Sequence, residues 1–100
     1  MAFNFIVRSD VWTDVESAVD WYNHEIKGLG QRFFQSFEQA TIQIITNPFH
    51  YTFITKNVRR CPVKKFPYSV LYLVEENNIH ILAVIHRRRS NAYIRKRIKR

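Results

Sequence analysis

The chain has 100 residues, 46% hydrophobic and 15% aromatic, with a formal net charge of +8. That is one domain with enough apolar residues for a core, which excludes a disordered chain. A single cysteine excludes an intramolecular disulfide and a cysteine-based zinc site, and no apolar run approaches the ~20 residues that span a bilayer.

No basic-then-apolar leader opens the sequence, so the expectation is a cytoplasmic protein with no membrane partner. Charge is unevenly placed. Residues 1–50 carry three Lys/Arg against six Asp/Glu, and residues 51–100 carry thirteen against two, so the halves stand at −3 and +11. A chain polarised in this way points to a polyanionic partner, a nucleic acid or an acidic protein.

Phe3 to Val7 is a short apolar run with β-branched residues and predicts an N-terminal strand. Ser9 or Asp10 then caps a helix in which Val11, Val15, Ala18, Val19, Tyr22 and Ile26 recur at helical spacing. Its acids are expected on a solvated face. Gly28-Leu29-Gly30 breaks that helix. A second follows through Leu29, Phe33, Phe37, Ala40 and Ile44, until Asn47-Pro48 stops it. The aromatics Trp12, Trp21, Phe33, Phe34 and Phe37 follow helical spacing and are expected in the core, with Trp21 and Tyr22 partly facing a partner.

After Pro48 come four short β-rich runs: Tyr51 to Thr55, Val58 to Val63, Tyr68 to Val74 and Ile79 to Ile85. The segment Glu75-Glu76-Asn77-Asn78 reads as a hairpin loop. The fold class expected is α+β: a strand, a helical hairpin, then an antiparallel meander with the helices packed on one face. Residues 1–93 form the domain, and 94–100 a basic tail that is a short helix or a mobile arm.

The chemistry concentrates where the last strand ends. His86 is followed by Arg87, Arg88 and Arg89, with Tyr93 and Arg95 beyond; Arg59, Arg60, Lys64 and Lys65 lie on the preceding strand region. Guanidinium groups stay charged and fork around phosphate or carboxylate oxygens, so such a cluster is an anion-binding face or a solvated strand end. Strand alternation puts His86 opposite Ile79, Ile81, Ala83 and Ile85, as a general acid or a structural histidine. Tyr93 is read either as a platform for an unpaired base or as an anchor for the tail. His24, His50 and His80 lack metal-ligand spacing, and no cofactor or metal is expected.

The ordered set of motifs resembles the RelE/ParE superfamily of bacterial toxins from type II toxin–antitoxin modules, plasmid stabilisation proteins included. It comprises Ala18…Asp20-Trp21-Tyr22, Gly28-Leu29-Gly30-Gln31-Arg32-Phe33, Asn47-Pro48, Phe66-Pro67-Tyr68-Ser69-Val70-Leu71-Tyr72, and Ile81 to His86 with the arginines. The resemblance implies the same strand, hairpin and meander, and a cognate antitoxin as partner in a hetero-oligomer. Arg87-x-Arg89-Ser90-x-x-Tyr93 is similar to the terminal motif of the RelE branch, whose members cut ribosome-bound mRNA by 2′-hydroxyl attack. On that match Arg87 contacts the scissile phosphate, Tyr93 stacks, and Lys64 or Lys65 handles protons, with Arg89 a further main residue and His86 and Lys65 secondary. Arg59, Arg60, Arg88 and Arg95 add nucleic-acid contacts. Ser69 stands where that branch carries an arginine. Phe66-Pro67-Tyr68 and His86-x-Arg88-Arg89 resemble instead the ParE branch, which poisons DNA gyrase by binding, although Asn91 and Ile94 occupy places where that branch often has proline and tryptophan. The expectation is a metal-independent endoribonuclease; the alternatives are a gyrase inhibitor and a plain nucleic-acid-binding module.

Overall fold

The computed structural model describes residues 2–99. In chain order it contains β1 (Asn4–Val7), α1 (Ser9–Glu25), α2 (Leu29–Thr46), β2 (Arg59–Pro62), β3 (Tyr68–Glu75), β4 (Asn78–His86) and α3 (Asn91–Ile98). The strands form one sheet in the order β1-β4-β3-β2. The β2-β3-β4 meander is antiparallel, as expected; β1 returns beside β4 in parallel, from Asn4 opposite Asn78 to Val7 opposite Ile81.

The helical hairpin covers one face, α1 over β4 and α2 over β2 and β3. Its packed stripe is Val11, Val15 and Ala18 with Phe33, Phe37, Ala40 and Ile44, all buried against Cys61, Val63, Val70, Tyr72, Ile79, Ile81 and Val84. The helices approach closely because Gly30 has no side chain. A Cβ there would lie 2.4 Å from the Val19 carbonyl oxygen, and the Gly30 amide donates to Asn23 Oδ1 at 2.8 Å. Gly28 supplies the left-handed turn before α2, with φ of 87°.

Four expectations are corrected here. Arg8, not Ser9 or Asp10, is the N-cap of α1, and no side chain caps it. The run Tyr51 to Thr55 is not a strand. It folds back on the outer edge of β2 through one bridge, Phe53 to Arg59, and the Arg60 amide donates to the Thr52 carbonyl at 3.0 Å. Trp12 and Trp21 are not core residues, being 46% and 60% exposed, because the packed stripe of α1 runs between them. Finally, the acids of α1 are not all solvated: Asp14 has a side chain only 13% exposed.

The opposite sheet face has its own apolar cluster, Val58, Leu71, Leu73, Leu82, Ala83 and Ile85, packed by Ile54, Tyr93, Ile94 and Ile98. Thus α3 begins at Asn91, before the expected tail, and docks on the face away from the hairpin. A bulge makes both faces possible. Leu71 pairs with Ala83 and Tyr72 with Ile81, so Leu82 is the extra residue on β4 and reverses the side-chain phase beyond it.

Candidate anion-binding site

The site is assembled where β4 ends. The three residues after His86 turn sharply: the Arg87 amide donates to the Pro67 carbonyl at 2.9 Å, and the Arg89 amide to the His86 carbonyl at 3.0 Å. The Arg88 amide donates to His86 Nδ1 at 3.1 Å, which fixes the ring. Ser90 then caps α3, its hydroxyl accepting from the Tyr93 amide at 3.1 Å.

Because of the bulge, His86 lies on the opposite side from Ala83 and Ile85 but on the same side as Ile79 and Ile81, beside the Tyr68 ring at 5.2 Å between centroids. The expectation that it opposes all four is therefore corrected. On the other side of the strand end, His86 borders a cavity of about 430 Å3 between the sheet, α3 and the Ile54-Thr55 arm. Ser69, Leu71, Ile85 and Ile94 line it, together with Arg60 on β2, Arg87 and Arg89 on the turn, and Arg95 on α3. Among the described residues no carboxylate lies within ion-pair distance of these four arginines. Four cations around a partly apolar hollow repel one another, and an anion with an apolar body relieves that repulsion.

Of the residues singled out in the sequence, His86, Arg87, Arg89, Arg60 and Arg95 meet in this cavity, whereas the others lie elsewhere. Lys64 and Lys65 line a separate groove beside Tyr22, Leu29, Arg32 and Phe66. Arg59 is a staple for the 49–57 arm, donating to the Phe49 and Tyr51 carbonyls at 3.1 and 2.6 Å and stacking on Phe53 at 3.9 Å. Arg88 is exposed and does not line the cavity. The Tyr93 ring is covered by the Arg89 guanidinium at 4.2 Å, and its hydroxyl accepts from Arg97 at 3.1 Å. In that position it anchors α3.

Sequence reasoning missed the residues that hold α3 in place. Both oxygens of Asp14 accept from Arg97 at 2.6 Å, and Oδ2 also accepts from the Val84 amide at 3.0 Å. Arg8 donates to the Arg97 and Lys99 carbonyls at 2.9 and 3.1 Å. The available signal was that Asp14 falls three residues after Val11 and four before Ala18, on the apolar side of α1. The fork around Asp14 favours the charged form and raises the pKa of Arg97.

Residues 5–91 match the family model of the ParE toxin of type II toxin–antitoxin systems, parDE. The chain belongs to that family. Solved structures agree on the fold. A chain described as the chromosomal ParDE toxin–antitoxin system from P. aeruginosa superposes with a TM-score of 0.76 at 15% identity, over 85% of this chain and 96% of that one. The free toxin RelE of E. coli, in a form with two arginines changed to alanine, gives a TM-score of 0.69 at 13% identity, over 99% and 100%. No curated protein sequence matches closely. As a ParE-family toxin the chain keeps its match up to the start of α3, so the helix that closes the arginine cavity lies almost wholly beyond it. Among the described residues no helix is long and apolar enough to cross a membrane.

Proposed function

We propose that this ParE-family toxin arrests growth by gripping its target through the arginine cavity, as an inhibitor of DNA gyrase, and that a cognate antitoxin neutralises it in a hetero-oligomer. The observation that carries the reading is the convergence of Arg60, Arg87, Arg89 and Arg95 on one cavity with no lysine among its lining residues. Cleavage by 2′-hydroxyl attack needs one group to take a proton and another to give one, both beside the same phosphate. Arginine stays charged and serves as an electrostatic clamp, and Lys64 and Lys65 open into a different groove. The balance between mechanisms therefore moves from the endoribonuclease towards binding.

One observation favours cleavage: His86 lines the cavity beside Arg87 and can supply a proton to a leaving oxygen. A single experiment separates the two. After induction in bacteria, plasmid supercoiling, chromosome breaks and RNA 5′ ends are measured in the same arrested cells. Loss of supercoiling with intact RNA is expected; new RNA ends on ribosome-bound message with supercoiling unchanged would replace gyrase by RNA as the target. A cognate antitoxin supplied in trans is expected to restore growth.

A further inference from the structure

We infer that Asp14 and Arg97, which do not line the arginine cavity, are positioning residues that hold its two cationic walls in register. The inference rests on the preceding reading of the cavity as the working site. Arg95 comes from α3, whereas Arg87 and Arg89 follow the end of β4, and nothing in the local sequence obliges these two elements to meet. An eight-residue helix is marginal by itself. Arg95, Lys96 and Arg97 also bring more positive charge towards a surface already occupied by Arg87, Arg88 and Arg89, so α3 docks against electrostatic repulsion.

Asp14 answers both problems, with Asp10 in a longer contact to Arg97 at 3.5 Å. Asp14, projecting from α1 past the C-terminal end of β1, holds the Val84 amide two residues before His86 and clamps Arg97 with both oxygens. The same side chain thereby fixes the end of β4 and the axis of α3. Both partners are nearly buried, at 13% exposure each, where the pair is little screened by salt. Two further contacts point the same way: Tyr93, one turn before Arg97, accepts from it, and Arg8 caps the last carbonyls of α3. Without this clamp Tyr93, Ile94 and Ile98 are the apolar hold of α3 on the sheet.

Asp14→Asn keeps an acceptor for Val84 while removing the charge, and Arg97→Lys keeps the charge while removing the fork. With the full chain, three quantities are compared across these variants: the melting transition, the rate of tryptic cleavage within 95–99, and growth arrest on induction. We expect a cooperative melt in both variants, cleavage accelerated at least about tenfold in Asp14→Asn, and arrest weakened in parallel, with Arg97→Lys intermediate in both. The graded rescue separates positioning from general loss of fold. A tail as protected as in the parent chain, or a tail set free with arrest unchanged, would overturn the inference. Arg87→Ala, with the clamp intact, is the control for the cavity itself. If it leaves arrest unchanged, the reading of the cavity fails, while the tryptic rates of the clamp variants still decide whether Asp14 and Arg97 hold α3.

Discussion

Tyr72 takes a hydroxyl into the core, where it donates to the Pro48 carbonyl at 2.7 Å, and burial raises its pKa well above the usual tyrosine value. Burial raises those of Tyr22, Tyr51 and Tyr68 as well. Well below pH about 10 these phenols are protonated whether the chain is folded or not, so the stability they confer is fully present. At higher pH the unfolded chain releases protons first, and stability falls as pH climbs towards the folded values. Tyr72 alone accounts for at most about 1.4 kcal/mol per pH unit in that window. Denaturant titrations from pH 8 to 11.5 are expected to begin falling near pH 9, where burial also raises the Cys61 thiol, and to fall more steeply beyond pH 10; Tyr72→Phe is expected to blunt the later decline while costing about 1–2 kcal/mol at neutral pH. At the cavity, Arg87→Ala is expected to weaken target binding about tenfold to a hundredfold, the worth of one charge-assisted contact. Replacing Lys64 and Lys65 together by glutamine is expected to change it little, and a titration of purified gyrase with each variant measures the difference.

Among the elements, the hairpin is the one whose geometry has least room. Gly30 packs where a methyl group would collide with the Asn23 side chain and with the Val19 carbonyl, and the carbonyl cannot withdraw without parting α1 from α2. Gly30→Ala is therefore expected to destabilise the fold by about 1–3 kcal/mol, read as a fall in Tm of at least about 5 °C. The β4 bulge acts differently. Leu82 lets one strand present Ile79 and Ile81 to the hairpin, then Ala83 and Ile85 to α3. Strict alternation carried through Ile79 to Ile85 in the sequence mispredicts the face of His86 for this reason alone. From Ile81 to Ile85 every residue of β4 is apolar and buried, and a strand buried on both faces leaves no polar alternation to betray an inserted residue.

At the scale of the whole molecule, the −3 and +11 halves of the chain meet at the ion pairs of α1 with α3. Of the acids of α1, Asp10 and Asp14 turn to Arg97 of α3, and Asp14 also holds the end of β4. Arg60, Arg87, Arg89 and Arg95 gather at the end of β4, while Lys64 and Lys65 lie beside the hairpin. Affinity for a single-stranded oligonucleotide, used as a generic polyanion, is expected to fall with salt at a log–log slope of about −3 if the four cavity arginines make the contacts. A slope near zero would show that the arginines do not meet phosphates.

The sequence by itself determined the elements that repeat a local period. Val11, Val15 and Ala18, then Phe33, Phe37, Ala40 and Ile44, are spaced so that each helix has one apolar face whatever it packs against, and all seven are buried. It also showed the cationic end of the last strand, since that is a matter of neighbours in the chain. Only the tertiary structure decided which cations work together. Arg60 and Arg95 join Arg87 and Arg89, while Arg59, Lys64 and Lys65 are drawn into other contacts. That choice depends on the parallel return of β1, the phase change at Leu82 and the clamp between Asp14 and Arg97. The clamp joins residues 83 positions apart, and no local pattern in the chain encodes a contact at that separation.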